Sequence, residues 1–236
     1  TPLSVSDGRL SPFEVDYDHD GSKDLLVGTA EGMVALLTNR GTDAEPAFSD
    51  YRFLKVDGKE IDVGTHATPF MVDYNNDGTR DLLIGNGEGA LFYYANQGNT
   101  IPPVFAPPAP LKDLHGTHLA VDGYCTPCVV DWDDDNRKDI LLGSGSGELV
   151  LYRNQGSDSE PLFSPPTPIE IDGISVTVTS HAVPVVADWD GDGGKDLLVR
   201  NKQGHLYLFR NGVVSGEPDL SRPEIILKGE LEPASD

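Results

Sequence analysis

Four stretches of the 236-residue sequence concentrate the side chains best able to hold an ion. They read DYDHDGSKD from Asp16, DYNNDGTRD from Asp73, DWDDDNRKD from Asp131 and DWDGDGGKD from Asp188. Each offers side-chain oxygens at positions 1, 3, 5 and 9 and a backbone carbonyl at position 7. Oxygen ligands at that spacing suit a hard cation of six or seven coordination, calcium before magnesium, which keeps more of its water. The first loop would use Asp16, Asp18, Asp20, the Ser22 carbonyl and Asp24; the second Asp73, Asn75, Asp77, the Thr79 carbonyl and Asp81. The third would use Asp131, Asp133, Asp135, the Arg137 carbonyl and Asp139; the fourth Asp188, Asp190, Asp192, the Gly194 carbonyl and Asp196. Fifteen acidic side chains stand at these positions, and crowding them without a cation is repulsive in every loop. Position 6 is Gly21, Gly78 and Gly193 but Asn136 in the third loop, which is therefore the loop expected to be distorted. An EF-hand is excluded, because its bidentate Glu at position 12 is replaced by Val27, Ile84, Leu142 and Val199.

The elements that position these loops repeat with them. The first aspartates are spaced 57, 58 and 57 residues apart, as are Asn39, Asn96, Asn154 and Asn211. A proline precedes each loop, at Pro12, Pro69, Pro127 and Pro184. Within a unit, a short apolar run leads into the loop and a second, such as Asp81–Gly85, leaves it. A third, such as Ala90–Ala95, ends at the Asn, and a weaker fourth stretch (104–114 in the second unit) carries proline and a Pro-x-Phe mark. Four short strands at a fixed period of about 57 residues predict an all-β fold of β-propeller type, with four antiparallel strands and one calcium loop per blade. The expected organisation is one propeller-type domain over 1–236. Its repeats fall near 11–67, 68–125, 126–182 and 183–236, with 1–10 available to complete the last blade. Four repeats leave open a closed ring, an arc, a fragment or half of an oligomeric ring.

A net charge of −22 lacks the basic footprint that nucleic acid or an anionic membrane requires. No apolar run is long enough to span a membrane. Cys125 and Cys128 form a CxxC, but no second ligand pair exists for zinc, and residues three apart on a strand are too distant for a disulfide. They align with Ala67, Ala182 and Leu10, and with Phe70, Val185 and Phe13, which reads as buried core thiols. Trp132 and Trp189 align with Tyr17 and Tyr74 and are expected to pack between blades.

The pattern DxDxDGxxDLLxG, followed by an aromatic-aliphatic strand ending in Asn and Gly, resembles the FG-GAP/VCBS repeat family. That family includes the integrin α-subunit propeller, the Psathyrella-type fungal lectins and many bacterial secreted proteins. The resemblance implies a calcium-loaded propeller, about four Ca²⁺ in this chain, and an extracellular, secreted or cell-surface location. Glycans or surface proteins are the implied partners, with a homo-oligomer if four blades do not close alone. Function follows from the family less directly, since it hosts lectins, adhesion domains and polysaccharide lyases.

The face opposite the calcium loops is where recognition is expected. Just ahead of the prolines, Arg9, His66, Tyr124 and His181 occupy one equivalent position near the start of the innermost strands. The turns after the second strands add Glu31, Asn86, Glu88, Ser144, Ser146, Asn201 and Gln203. Polar and aromatic groups on one rim suit sugars, so the expected function is a calcium-stabilised, lectin-like module without catalytic residues. A protein-adhesion or scaffold domain is the alternative. A polysaccharide lyase using His66 or His181 as base and Tyr124 as acid is the minor one.

Overall fold

The computed structural model describes residues 10–98 and 100–228, which contain strands and no helix. Blade 1 comprises β1 (Ser11–Val15), β2 (Asp24–Gly28), β3 (Val34–Leu37) and β4 (Arg52–Phe53), followed by a small ribbon of β5 (Lys55–Val56) and β6 (Lys59–Glu60). Blade 2 comprises β7 (Thr68–Val72), β8 (Asp81–Gly85) and β9 (Leu91–Tyr94). Blade 3 comprises β10 (Thr126–Val130), β11 (Asp139–Gly143), β12 (Leu149–Tyr152) and β13 (Thr167–Pro168), with a second ribbon of β14 (Glu170–Ile171) and β15 (Ile174–Ser175). Blade 4 comprises β16 (Val183–Ala187), β17 (Asp196–Arg200), β18 (Leu206–Phe209) and β19 (Glu224–Leu227). All pairings within the blades are antiparallel, and the first hairpin keeps one register throughout: Val15 faces Asp24, Val72 faces Asp81, Val130 faces Asp139 and Ala187 faces Asp196.

Blade 2 departs from the four-strand expectation. Its fourth stretch is reduced to single bridges, Asn96 to Phe105 and Tyr93 to Ala109. Pro107, Pro108 and Pro110 lack the N–H a ladder needs, so regular pairing cannot continue there. The two sequence landmarks meet in space. Asn39 bridges Phe48, Asn96 bridges Phe105, Asn154 bridges Phe163 and Asn211 bridges Leu220.

The core lies between blades as well as within them. Tyr17 of blade 1 is buried with Leu82, Ile84 and Phe105 of blade 2; Tyr74 of blade 2 with Ile140, Leu142 and Phe163 of blade 3; Trp132 of blade 3 with Leu197, Val199 and Leu220 of blade 4. Burying a large side chain of this kind stabilises by roughly 1.5–3 kcal/mol, so these aromatics are principal blade-to-blade fasteners. Trp189, at the equivalent place in blade 4, corrects the expectation of uniform packing. It is 51% exposed, as against 2% for Trp132. Val185 of the same blade is also exposed, and no further blade covers this face among the described residues.

The glycines that close the second strands have a matching role. A Cβ on Gly28 would lie 1.9 Å from the Ala67 carbonyl oxygen, on Gly85 2.0 Å from that of Cys125, and on Gly143 2.1 Å from that of Ala182. Successive blades thus approach backbone to backbone at these three points. Blade 4 carries Arg200 at this position, so such an approach is absent after it. The innermost strands β1, β7, β10 and β16 pack side by side in that order among the described residues.

Both cysteines are free and buried in this packing. Burial pushes the Cys128 thiol up to about 11 and the Cys125 thiol further. Native protein in calcium should leave both unlabelled by a thiol reagent at pH 8, whereas denatured protein reacts at both; rapid native labelling would contradict this placement.

Candidate functional site

The aspartate-rich loops are the eight-residue connections between first and second strands. The last aspartate of each is buried and ties three segments together. One oxygen of Asp24, Asp81, Asp139 and Asp196 accepts the N–H of Asn39, Asn96, Asn154 and Asn211, at 2.7–2.8 Å. The other accepts the N–H of Tyr17, Tyr74, Trp132 and Trp189, at 2.9–3.2 Å. The Asn side chain then organises the following loop, as where Asn39 Oδ1 accepts from Gly41 and Ala47, both at 2.9 Å. Burial raises the affinity of Asp24 and Asp81 for a proton and pushes Asp139 up to about 6, where Asp133 and Asp135 add to the shift.

The remaining ligands gather as spaced. Oxygens of Asp16, Asp18 and Asp24 lie within 4.8 Å of one another, as do those of Asp131, Asp133 and Asp139, and of Asp188, Asp190 and Asp196. In the second loop Asn75 replaces the third-position carboxylate and donates to Asp77 at 3.0 Å. Residues at position 7 donate their N–H to the fifth-position carboxylate: Ser22 to Asp20, Thr79 to Asp77, Arg137 to Asp135 and Gly194 to Asp192. Asp16 Oδ1, Asp18 Oδ1 and Asp133 Oδ1 are buried without a hydrogen-bond partner. Inward-facing carboxylate oxygens left unsatisfied are what a hard cation would complete, so the residues fit a calcium-type ion.

The third loop is not distorted. Asn136 takes φ +65°, beside +90°, +86° and +90° for Gly21, Gly78 and Gly193. Its N–H reaches Asp131 Oδ2 at 3.0 Å, as that of Gly78 reaches Asp73. Asn tolerates this left-handed turn because its short polar side chain adds little steric cost. What does distinguish the later loops was not read from the repeat. Arg153 pairs with Asp133 at 2.8 Å, Arg210 with Asp190 at 2.5 Å, and Arg137 with Asp135. A cation there would share its carboxylates with arginine, whereas loop 1 has four carboxylates and no arginine paired to them among the described residues.

The basic residue at position 8 was also missed. Arg80 reaches the Asp16 carbonyl at 3.5 Å, Lys138 reaches Asn76 and Asp158, and Lys195 reaches the Asp131 carbonyl and Asp134. Each loop therefore clasps the preceding one. Lys23 has no preceding blade and pairs with Glu14 in its own. The signal was present in the sequence as Lys/Arg in all four copies.

At the opposite end of the innermost strands, roughly 17 Å away for five residues, the rim residues converge. The Tyr124 ring lies between those of His66 and His181, with centroid separations of 4.7 and 4.0 Å. A cavity of about 80 Å³ opens there, also lined by Ser11, Thr126 and Arg200. His66, Tyr124 and His181 all have left-handed backbone, at φ +47°, +44° and +49°. That geometry lets their N–H groups bond the preceding blade, at the carbonyls of Ala30, Gly87 and Gly145. Strain of order 1 kcal/mol or more at each residue is accepted where glycine would fit freely. Arg9 lies outside the described residues. Of the second-strand turns, Asn86, Ser144 and Asn201 are buried and spend their side chains closing their own turns, accepting the N–H of Ala90, Glu148 and His205. Arg200 was the unrecognised rim residue, and its signal was the break in the glycine repeat.

Residues 131–199 match the FG-GAP-like repeat. That segment is FG-GAP-like. Over 165 residues the chain is 26% identical to mouse integrin alpha-7, covering 65% of this chain and 13% of that protein. Over 155 residues it is 27% identical to Cricetulus griseus integrin alpha-3, covering 59% and 14%. The chain thus spans about a seventh or less of these curated relatives. In fold it is similar to a lectin of Agrocybe aegerita, with TM-score 0.51 and 20% identity over 93% of this chain and 53% of that one. No helix among the described residues is long and apolar enough to cross a membrane.

Proposed function

We propose that this chain is a calcium-stabilised, lectin-like binding module of an extracellular or cell-surface protein, with about four Ca²⁺, one per loop. It is read as a binder without catalytic residues. The observation that carries the reading is the His66–Tyr124–His181 cluster at the channel mouth. It combines ring faces with polar edges in a concave site, the mixture by which a sugar ring is stacked and its hydroxyls are bonded. The strain held in all three backbones argues the same way, since fold alone would favour glycine there. The Agrocybe aegerita lectin is described as recognising non-reducing terminal N-acetylglucosamine, a candidate first ligand to assay here. A glycan array in calcium should yield a defined set of bound sugars. Tyr124→Gly should abolish that binding while shifting the melting temperature by only a few degrees, because glycine adopts φ +44° readily. Binding retained by this variant, or an array without signal, would overturn the reading.

A protein-adhesion role is the second reading. It is favoured by the uncovered face of blade 4, where Val185, Trp189, Val214 and Ile225 are all exposed, and by the integrin relatives.

A further inference from the structure

Arg200 stands where the other three blades have a glycine that the next blade's carbonyl forces on them. With no such approach among the described residues, blade 4 can place a long cationic side chain at the channel mouth. Among the described residues no acceptor lies within hydrogen-bonding or ion-pairing distance of its guanidinium, although the chain carries 39 acidic residues. No acidic side chain lines the cavity among the described residues. The hydroxyls of Ser11 and Thr126, which also line it, have no hydrogen-bond partner among the described residues. In a molecule of net charge −22, a concave site whose described residues include an unpaired arginine and no carboxylate is an exception to the surrounding field.

We infer that the channel mouth recognises an acidic saccharide, with the sugar's carboxylate on Arg200 and its ring against Tyr124. This rests on the carbohydrate reading above and narrows it to uronate-type sugars. A planar carboxylate matches the fork of the guanidinium with two parallel hydrogen bonds, a geometry that a neutral hydroxymethyl group lacks. The cavity of about 80 Å³ has room for roughly five to eight waters, enough for a carboxylate and the adjoining ring edge.

The test is calorimetric titration at fixed calcium, using oligogalacturonate, its neutral galacto-oligosaccharide counterpart, a sulfated counterpart and an acidic peptide. The uronate should bind about tenfold or more tighter than the neutral sugar. Arg200→Gly, which restores the residue found in the other blades, should bring uronate affinity down to the neutral level. Equal affinities in the unaltered protein, or a uronate preference that survives in Arg200→Gly, overturn the inference and leave the carbohydrate reading standing. Equal or tighter binding of the sulfated sugar or the peptide overturns the uronate assignment. Silence from every saccharide overturns both.

Discussion

Stripping divalent cations from this protein should lower its melting temperature by more than about 10 °C, and calcium should restore it. A single site at a hundredfold excess of calcium over its dissociation constant adds about 2.7 kcal/mol to folding. In a chain of this length each kcal/mol moves the midpoint by about 2–4 °C. Several such sites therefore approach the entire stability of an ordinary domain, about 5–15 kcal/mol. The structural reason lies in the last aspartate of each loop, which holds the Asn of the third strand and the aromatic of the first on its two oxygens. A loop that springs open under carboxylate repulsion pulls on both.

The pH dependence should invert with the ion. In desalted, cation-free protein, Asp139 binds its proton up to about 6, above the ordinary value of 3.8. The native state then takes up protons that the unfolded chain releases, so stability should rise as pH falls from 7 through about 6 towards 4. Burial moves Asp24 and Asp81 in the same direction. With calcium bound, protonation expels the ion, and stability should fall over that window instead. Melting curves at pH 7 and pH 5, with and without calcium, read both effects. A midpoint indifferent to chelation at pH 7 would sink the proposed role of the loops.

The second large effect concerns the interblade glycines. Gly85→Val should destabilise by at least about 3 kcal/mol or prevent folding, because its Cβ alone meets the Cys125 carbonyl oxygen at 2.0 Å. Backbone cannot give way there as a side-chain tip would, since Thr68 Oγ1 also bonds that carbonyl at 2.6 Å. Gly28 and Gly143 should behave alike. None of the three has positive φ, so the cost is steric and not conformational. Arg200→Gly, at the equivalent position, should leave the melting temperature within a few degrees. Denaturant unfolding of the four variants is the check. Tolerance of valine at Gly85 would mean that the blades are not packed as described.

The repeat made much of this legible. Positions recurring at one step of about 57 residues can be aligned within a single chain, so the Asp loops, the Asn landmark, the prolines and the strand order follow from the sequence. The cysteines could be assigned to the core on the same basis, because their counterparts in other blades are apolar. Asn136 was misjudged through its residue type, since the hydrogen bonds to Asp131 that fix the turn do not depend on a missing Cβ.

What the sequence determined by itself, then, was everything local to one blade: which runs form strands, which oxygens share a loop, and which aromatic recurs beside it. Only the tertiary structure decided what happens between blades. Position 8 clasps the preceding loop, the strand-closing glycine meets a carbonyl 39 or 40 residues away in backbone approach, and Tyr124 comes to lie between two histidines from other blades. The fourth copy shows the reason most directly. Trp189 and Arg200 sit in the same local pattern as their counterparts, yet one is exposed and the other projects at the channel mouth. Burial and strain at those positions are set by the next blade, and among the described residues none is packed there after blade 4.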